Sequence, residues 1–115
     1  MTDIQTGFSK SYAEARQKFL NAAHTAGLTV DSNIHPLKGR DGEELAMDVV
    51  LDGAADAQQL LVISSACHGV EGYCGSGVQV HALQNTAFVK RPVRGVSRCC
   101  TSMRSTHTGS RMCAG

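Results

Sequence analysis

The sequence predicts a single α/β domain over residues 1–90, and three observations carry that expectation. An apolar stripe recurs at three- and four-residue steps near the N-terminus, as on a helix that faces a core. Two extended stretches follow, separated by turn residues. A continuous apolar run then gives way, across a glycine-rich loop, to a second helical stretch. With 115 residues the chain has room for one core and not two.

The first helix is expected over Ser9 to Ala26, with Phe8, Tyr12, Ala15, Phe19, Ala22 and Ala26 on one face. Ser11 and Glu14 have the spacing of a capping box, and Gly27 can end the helix in a left-handed conformation. Leu28 to Pro36 reads as extended, and Lys38-Gly39-Arg40-Asp41-Gly42 as a turn. Leu45, Met47, Val49 and Leu51 alternate with Ala46, Asp48, Val50 and Asp52, so residues 44–52 form a half-buried strand. The two strands should pair as a hairpin. Leu60-Leu61-Val62-Ile63 reads as an inner strand, buried on both faces, within residues 59–65. A loop follows through Gly72, and Ser76 then caps a second helix that runs to about residue 88.

Composition excludes several classes. With 42% hydrophobic and 18% charged residues the chain is not disordered by composition. No apolar run approaches the roughly 18 residues a membrane helix needs. Met1-Thr2-Asp3-Ile4-Gln5 has neither a basic nor an apolar signal region, and the expected compartment is the cytoplasm. Five cysteines are an odd number, and three of them (Cys99, Cys100, Cys113) crowd the last residues, unlike a secreted disulfide framework.

The charge is uneven. Residues 1–71 hold all ten acids and five bases, whereas residues 72–115 hold six bases and no acid. Residues 91–115 contain five Arg and three Cys but no Leu, Ile, Phe, Tyr or Trp. No period of 2 or 3.6 survives there, and 91–115 is expected to be irregular.

Chemistry concentrates in His68-Gly69-Val70-Glu71-Gly72, just past the carboxyl end of the apolar strand. Ligand sites in open α/β sheets lie at that end. A His and a Glu three apart can turn an imidazole and a carboxylate toward one point. Zinc takes three such N and O ligands in a hydrolytic site and leaves a fourth place for water. It acidifies that water and polarises a substrate carbonyl. On spacing alone, a polar turn after a strand explains the same residues.

The surroundings add to this. Phe8-Ser9-Lys10-Ser11-Tyr12-Ala13-Glu14-Ala15-Arg16, His35-Pro36-Leu37-Lys38-Gly39, Gly42-Glu43-Glu44-Leu45-Ala46-Met47-Asp48 and Ser65-Ala66-Cys67-His68-Gly69-Val70-Glu71-Gly72-Tyr73-Cys74-Gly75-Ser76-Gly77 occur in order. Over residues 7–90 the chain resembles the N-terminal part of a bacterial branch of the zinc carboxypeptidase-like metallopeptidase superfamily, a family of unknown function. The resemblance implies a mixed sheet with helices on both faces and zinc-assisted hydrolysis of an amide bond in a small peptide or related substrate. It implies that His68 and Glu71 are the first two zinc ligands. It places the third ligand, a His, and the general-base Glu further along, at positions this chain does not match.

Other residues offer less. His81 falls in the second helix and His107 in the patternless stretch, and both read as ordinary polar residues. Cys67 beside His68 suggests a nucleophile and base, but adjacent residues rarely face each other, and a small apolar residue at a strand end explains it. Gly69, Gly72, Gly75 and Gly77 could form a phosphate nest, yet no Lys-Ser/Thr signature accompanies them, and a tight turn is the simpler reading. The arginines of the last segment lack stacking aromatics and any nucleic-acid module signature.

A frameshift accounts for the last segment. Read one base earlier, Cys99-Cys100 forces Leu, Met103-Arg104 with a CGN codon forces Ala, and Met112-Cys113 forces Val. One allowed reading from Gly95 is G-V-A-V-L-H-V-H-A-V-D-P-Y-G-F, an aliphatic strand followed by a motif of the resembled family. The expectation is an N-terminal fragment of a zinc hydrolase, inactive as this chain, with no nucleic-acid or membrane partner. The competing expectation is a small non-enzymatic binding or regulatory module with a basic tail.

Overall fold

A computed structural model describes residues 4–65, 71–89 and 96–102. After a short 3-10 turn at Ile4–Gly7 come α1 (Tyr12–Thr25), β1 (Val30–Lys38), β2 (Glu44–Asp52), β3 (Gln59–Ser65), α2 (Gly72–Gln84), α3 (Thr86–Val89) and β4 (Val96–Ser102). The strands make one sheet in the order β1-β2-β4-β3. β1 with β2 and β2 with β4 are antiparallel, while β3 with β4 is parallel. The sheet is therefore mixed, as expected.

The start and stop of α1 follow from its sequence. Ser11 Oγ accepts from the Glu14 N–H at 3.2 Å, and Glu14 Oε2 accepts from the Lys10 N–H at 2.9 Å, so the capping box closes one residue early. The Lys10 N–H, then Lys18, holds the Glu14 carboxyl below its ordinary pKa. That contribution is complete above the ordinary carboxylate pKa and is lost as pH falls through the lowered one. At the other end Leu28 N–H bonds Ala23 O and Gly27 N–H bonds His24 O, both at 3.0 Å, with Gly27 at φ +75°. This is a Schellman closure.

The β1–β2 hairpin forms with Val30 opposite Val50 and Lys38 opposite Glu44. Its register slips between Ile34 and Lys38, around Pro36. Proline has no N–H to give the ladder, and the edge position of β1 tolerates it.

Phe19, Ala22 and Ala23 of α1, Val80 and Leu83 of α2 and Val50 of β2 form the core, with Val30 and Ile63 packed against it. The described helices thus cover one sheet face. On the other face Leu51, Leu60 and Val62 remain 57%, 59% and 55% exposed. The run expected to be an inner strand is the sheet's edge among the described residues, and it is mostly exposed. A continuous apolar run signals burial on two faces, and only one face of β3 has a partner here.

Two further expectations are corrected. The second helix begins at Gly72, not after Ser76, and Ser76 is a buried residue inside it. The stretch 91–115 is not irregular throughout, because Val96–Ser102 is β4 and shares a sheet with residues before 90. The chain leaves β3, crosses through α2 and returns parallel to β3, in the slot beside β2. Backbone pairing on both sides holds that strand without an alternating apolar pattern.

Candidate metal site

Glu71 is the N-cap of α2, the first residue described after β3 ends at Ser65. It is exposed, and its carbonyl accepts the Cys74 N–H at 3.1 Å. Its side chain makes no capping bond, so the carboxylate is not committed to the helix. Cys67, His68 and Gly69 lie outside the described residues.

The start of α2 is pressed against its neighbours by glycines. A Cβ on Gly75 would meet Ser65 Cβ at 2.9 Å, and one on Gly77 would meet the Phe8 ring at 2.6 Å. Gln79, buried, donates from Nε2 to the Ile63 carbonyl at 2.8 Å. These contacts seat the helix start over the carboxyl end of β3. Gly72, Gly75 and Gly77 are helical, and Gly75 and Gly77 serve close packing, so neither a nest nor a tight turn describes them. Gly75→Ala is expected to lower stability by about 1–3 kcal/mol, since the clash is with an atom fixed to a strand. Urea denaturation of wild type and variant measures it.

His81 lies ten residues along α2 from Glu71, about 15 Å by helical rise, and its Nδ1 is buried with no hydrogen-bond partner among the described residues. Among the described residues no three His, Cys, Asp or Glu side chains gather as a metal set. An imidazole and a carboxylate are donors that suit zinc, and Glu71 is the one described member of that pair.

Residues that the motifs brought forward have a structural role. Arg16 of α1 forks onto buried Asp48 of β2, Nε to Oδ2 at 2.8 Å and Nη2 to Oδ1 at 3.2 Å, and reaches Glu44 at 3.1 Å. Ser32 donates to Asp48 Oδ1 at 2.6 Å. The hydrogen bond to Asp48 raises the Arg16 pKa further above its ordinary value. Tyr12 accepts from the Ala46 N–H at 2.9 Å and donates to the Ala46 carbonyl at 3.1 Å. Tyr12, Arg16 and Asp48 clamp α1 to the sheet.

The family model described as Protein of unknown function (DUF2817) matches residues 8–97. The chain belongs to the DUF2817 family. No curated protein matches this DUF2817 chain. Among solved structures it resembles Macrostomum lignano glutaminyl cyclase at 16% identity and a TM-score of 0.55, over 92% of this chain and 35% of that one. It resembles Fimbriiglobus ruber glutaminyl cyclase at 11% identity and 0.53, over 88% and 42%. It also resembles a Zn-dependent exopeptidase from Parabacteroides distasonis at 9% identity and 0.51, over 95% and 46%. The fold is that of these proteins, and the chain spans less than half the length of each.

Proposed function

We propose that this chain is the N-terminal part of a zinc-dependent hydrolase of amide or peptide bonds, with His68 and Glu71 as two of its metal ligands. The observation that carries the reading is Glu71. Its uncommitted carboxylate stands at the start of a helix seated over the carboxyl end of a strand, three residues after His68. A Zn-dependent exopeptidase has the same fold. Zinc held there would polarise the amide carbonyl and acidify a water, while Glu71 would contribute negative charge from the helix start. Small peptides or acyl-amino acids are the proposed substrates, and the cytoplasm the proposed compartment. No helix among the described residues is long and apolar enough to cross a membrane.

We also propose that the codons after residue 95 are out of frame. Polar Ser97 and charged Arg98, with Cys99 and Cys100, occupy a slot between two strands. The reading one base earlier puts Val, Ala, Val and Leu there, which suits an interior strand better. The apolar run of β3, half exposed, fits a sheet designed to be covered on its second face. β4 itself favours a second reading, in which residues 96–102 are native and the chain is a small non-enzymatic module with a basic tail. The coding DNA separates the two. An open shifted frame encoding His-Ala-x-(Asp/Asn)-Pro-Tyr-Gly-Phe is expected, and stop codons in that frame would remove the frameshift.

A further inference from the structure

A groove of about 300 Å³ opens where three segments meet. Its walls are the start of α1 (Lys10 to Ala13), the β1–β2 turn (Arg40, Asp41, Glu43) and Tyr73 of α2. Tyr73 follows Glu71 by two residues, so the groove is walled by the first turn of the helix that Glu71 caps. Its volume is at the lower end of the range for small-molecule sites. Tyr12 makes a fixed floor, because its hydroxyl is locked on the Ala46 backbone.

The charges lining the groove are not equivalent. Both Asp41 oxygens accept from Arg40, Nε to Oδ1 at 3.2 Å and Nη2 to Oδ2 at 3.3 Å. Glu43 Oε2 accepts from the Asp41 N–H at 2.9 Å. Lys10 differs: among the described residues its ammonium makes no hydrogen bond or ion pair. The nearby Glu14 carboxylate is taken by the Lys10 N–H and by Lys18 at 3.1 Å. One cation therefore has no contact partner among the described residues, its charge acting on Glu14 only through space, in a groove that also presents Tyr73.

We propose that this groove is a substrate subsite that holds an anionic group carried by the amide substrate, with the Lys10 ammonium as its ion partner and Tyr73 against the body of the molecule. The assignment rests on the zinc-hydrolase reading of the adjoining loop. Lys10 contributes a charge-assisted bond, and Tyr73 a surface that favours an organic body over a bare ion.

The test is an amide chemical-shift titration of the 115-residue chain, without zinc, using N-acetylglycine, N-acetylglycinamide and inorganic phosphate as probes. N-acetylglycine is expected to shift the signals of Lys10, Arg40 and Tyr73, with N-acetylglycinamide about tenfold weaker or more. Lys10→Gln, a change at an exposed residue, should weaken N-acetylglycine by a similar factor. Phosphate binding as well as N-acetylglycine would mean that only charge is read, and would overturn the subsite. So would the absence of shifts at the groove, or a Lys10→Gln variant that binds like wild type. Loss of zinc binding as a property of the loop would overturn the hydrolase reading while the groove stands, and loss of the titration alone would remove only the subsite.

Discussion

Replacing Arg16 with Ala is expected to cost about 3 kcal/mol of stability, the largest loss we expect from a single side chain. Asp48 is fully buried, with both oxygens held by the Arg16 fork. Removing the guanidinium leaves a carboxylate in the interior with only the Ser32 hydroxyl. Breaking a buried pair from one side generally costs about 3–5 kcal/mol, and the Arg16 side chain, 17% exposed, points to the lower end. Against a typical domain stability of about 5–15 kcal/mol this is a large share. Glu44→Ala, at the exposed arm of the same fork, should cost less than about 1 kcal/mol. The double variant Arg16→Met with Asp48→Leu should recover much of the loss, because it removes both charges together. Chemical denaturation of the three variants checks the order. An Arg16→Ala loss no larger than that of Glu44→Ala would show that the clamp does not tie α1 to the sheet.

Turnover should differ sharply between this chain and a version with the frame restored after residue 95. The proposed hydrolase needs three anchoring ligands and a base to take a proton from water. Residues 1–115 offer His68 and Glu71 for the first task. Loss of a general base alone typically lowers a rate by about 10²–10⁴. Hydrolysis of acyl-amino acids and small peptides by the 115-residue chain is therefore expected to fall at least about 10²-fold below that of the restored protein. In the restored protein, His68→Ala should abolish turnover. Robust hydrolysis by residues 1–115 that disappears in His68→Ala would show a complete enzyme and contradict the fragment reading.

Elements whose side chains carry the signal were legible in the sequence. β2 falls at Glu44–Asp52, where alternation placed it, but its buried face carries Ala46, Asp48 and Val50, while Met47 and Leu51 of the apolar set are exposed. The end of α1 was legible because Gly27 must take a positive φ. The first turns of α2 were not. Gly72, Gly75 and Gly77 have poor helix propensity, and tertiary contact with Ser65 and Phe8 explains Gly75 and Gly77. β4 was missed because its order comes from backbone pairing on both sides, which leaves no mark on composition. The Arg16–Asp48 clamp joins residues 32 apart in sequence, and no local pattern predicts such a pair. At the candidate site, the place of Glu71 beyond β3 was legible, while His68 lies outside the described residues. The groove was not, because its walls come from three separate segments.

The central claim is that His68 and Glu71 bind zinc, and calorimetric titration of the 115-residue chain with zinc tests it most directly. His68→Ala and Glu71→Gln are titrated beside wild type, with circular dichroism to confirm that all three are equally folded. Two donors anchor a metal less firmly than the three of a hydrolytic site, so one weak site is expected in wild type and its loss in either variant. Zinc binding of the same strength in all three proteins would contradict the account.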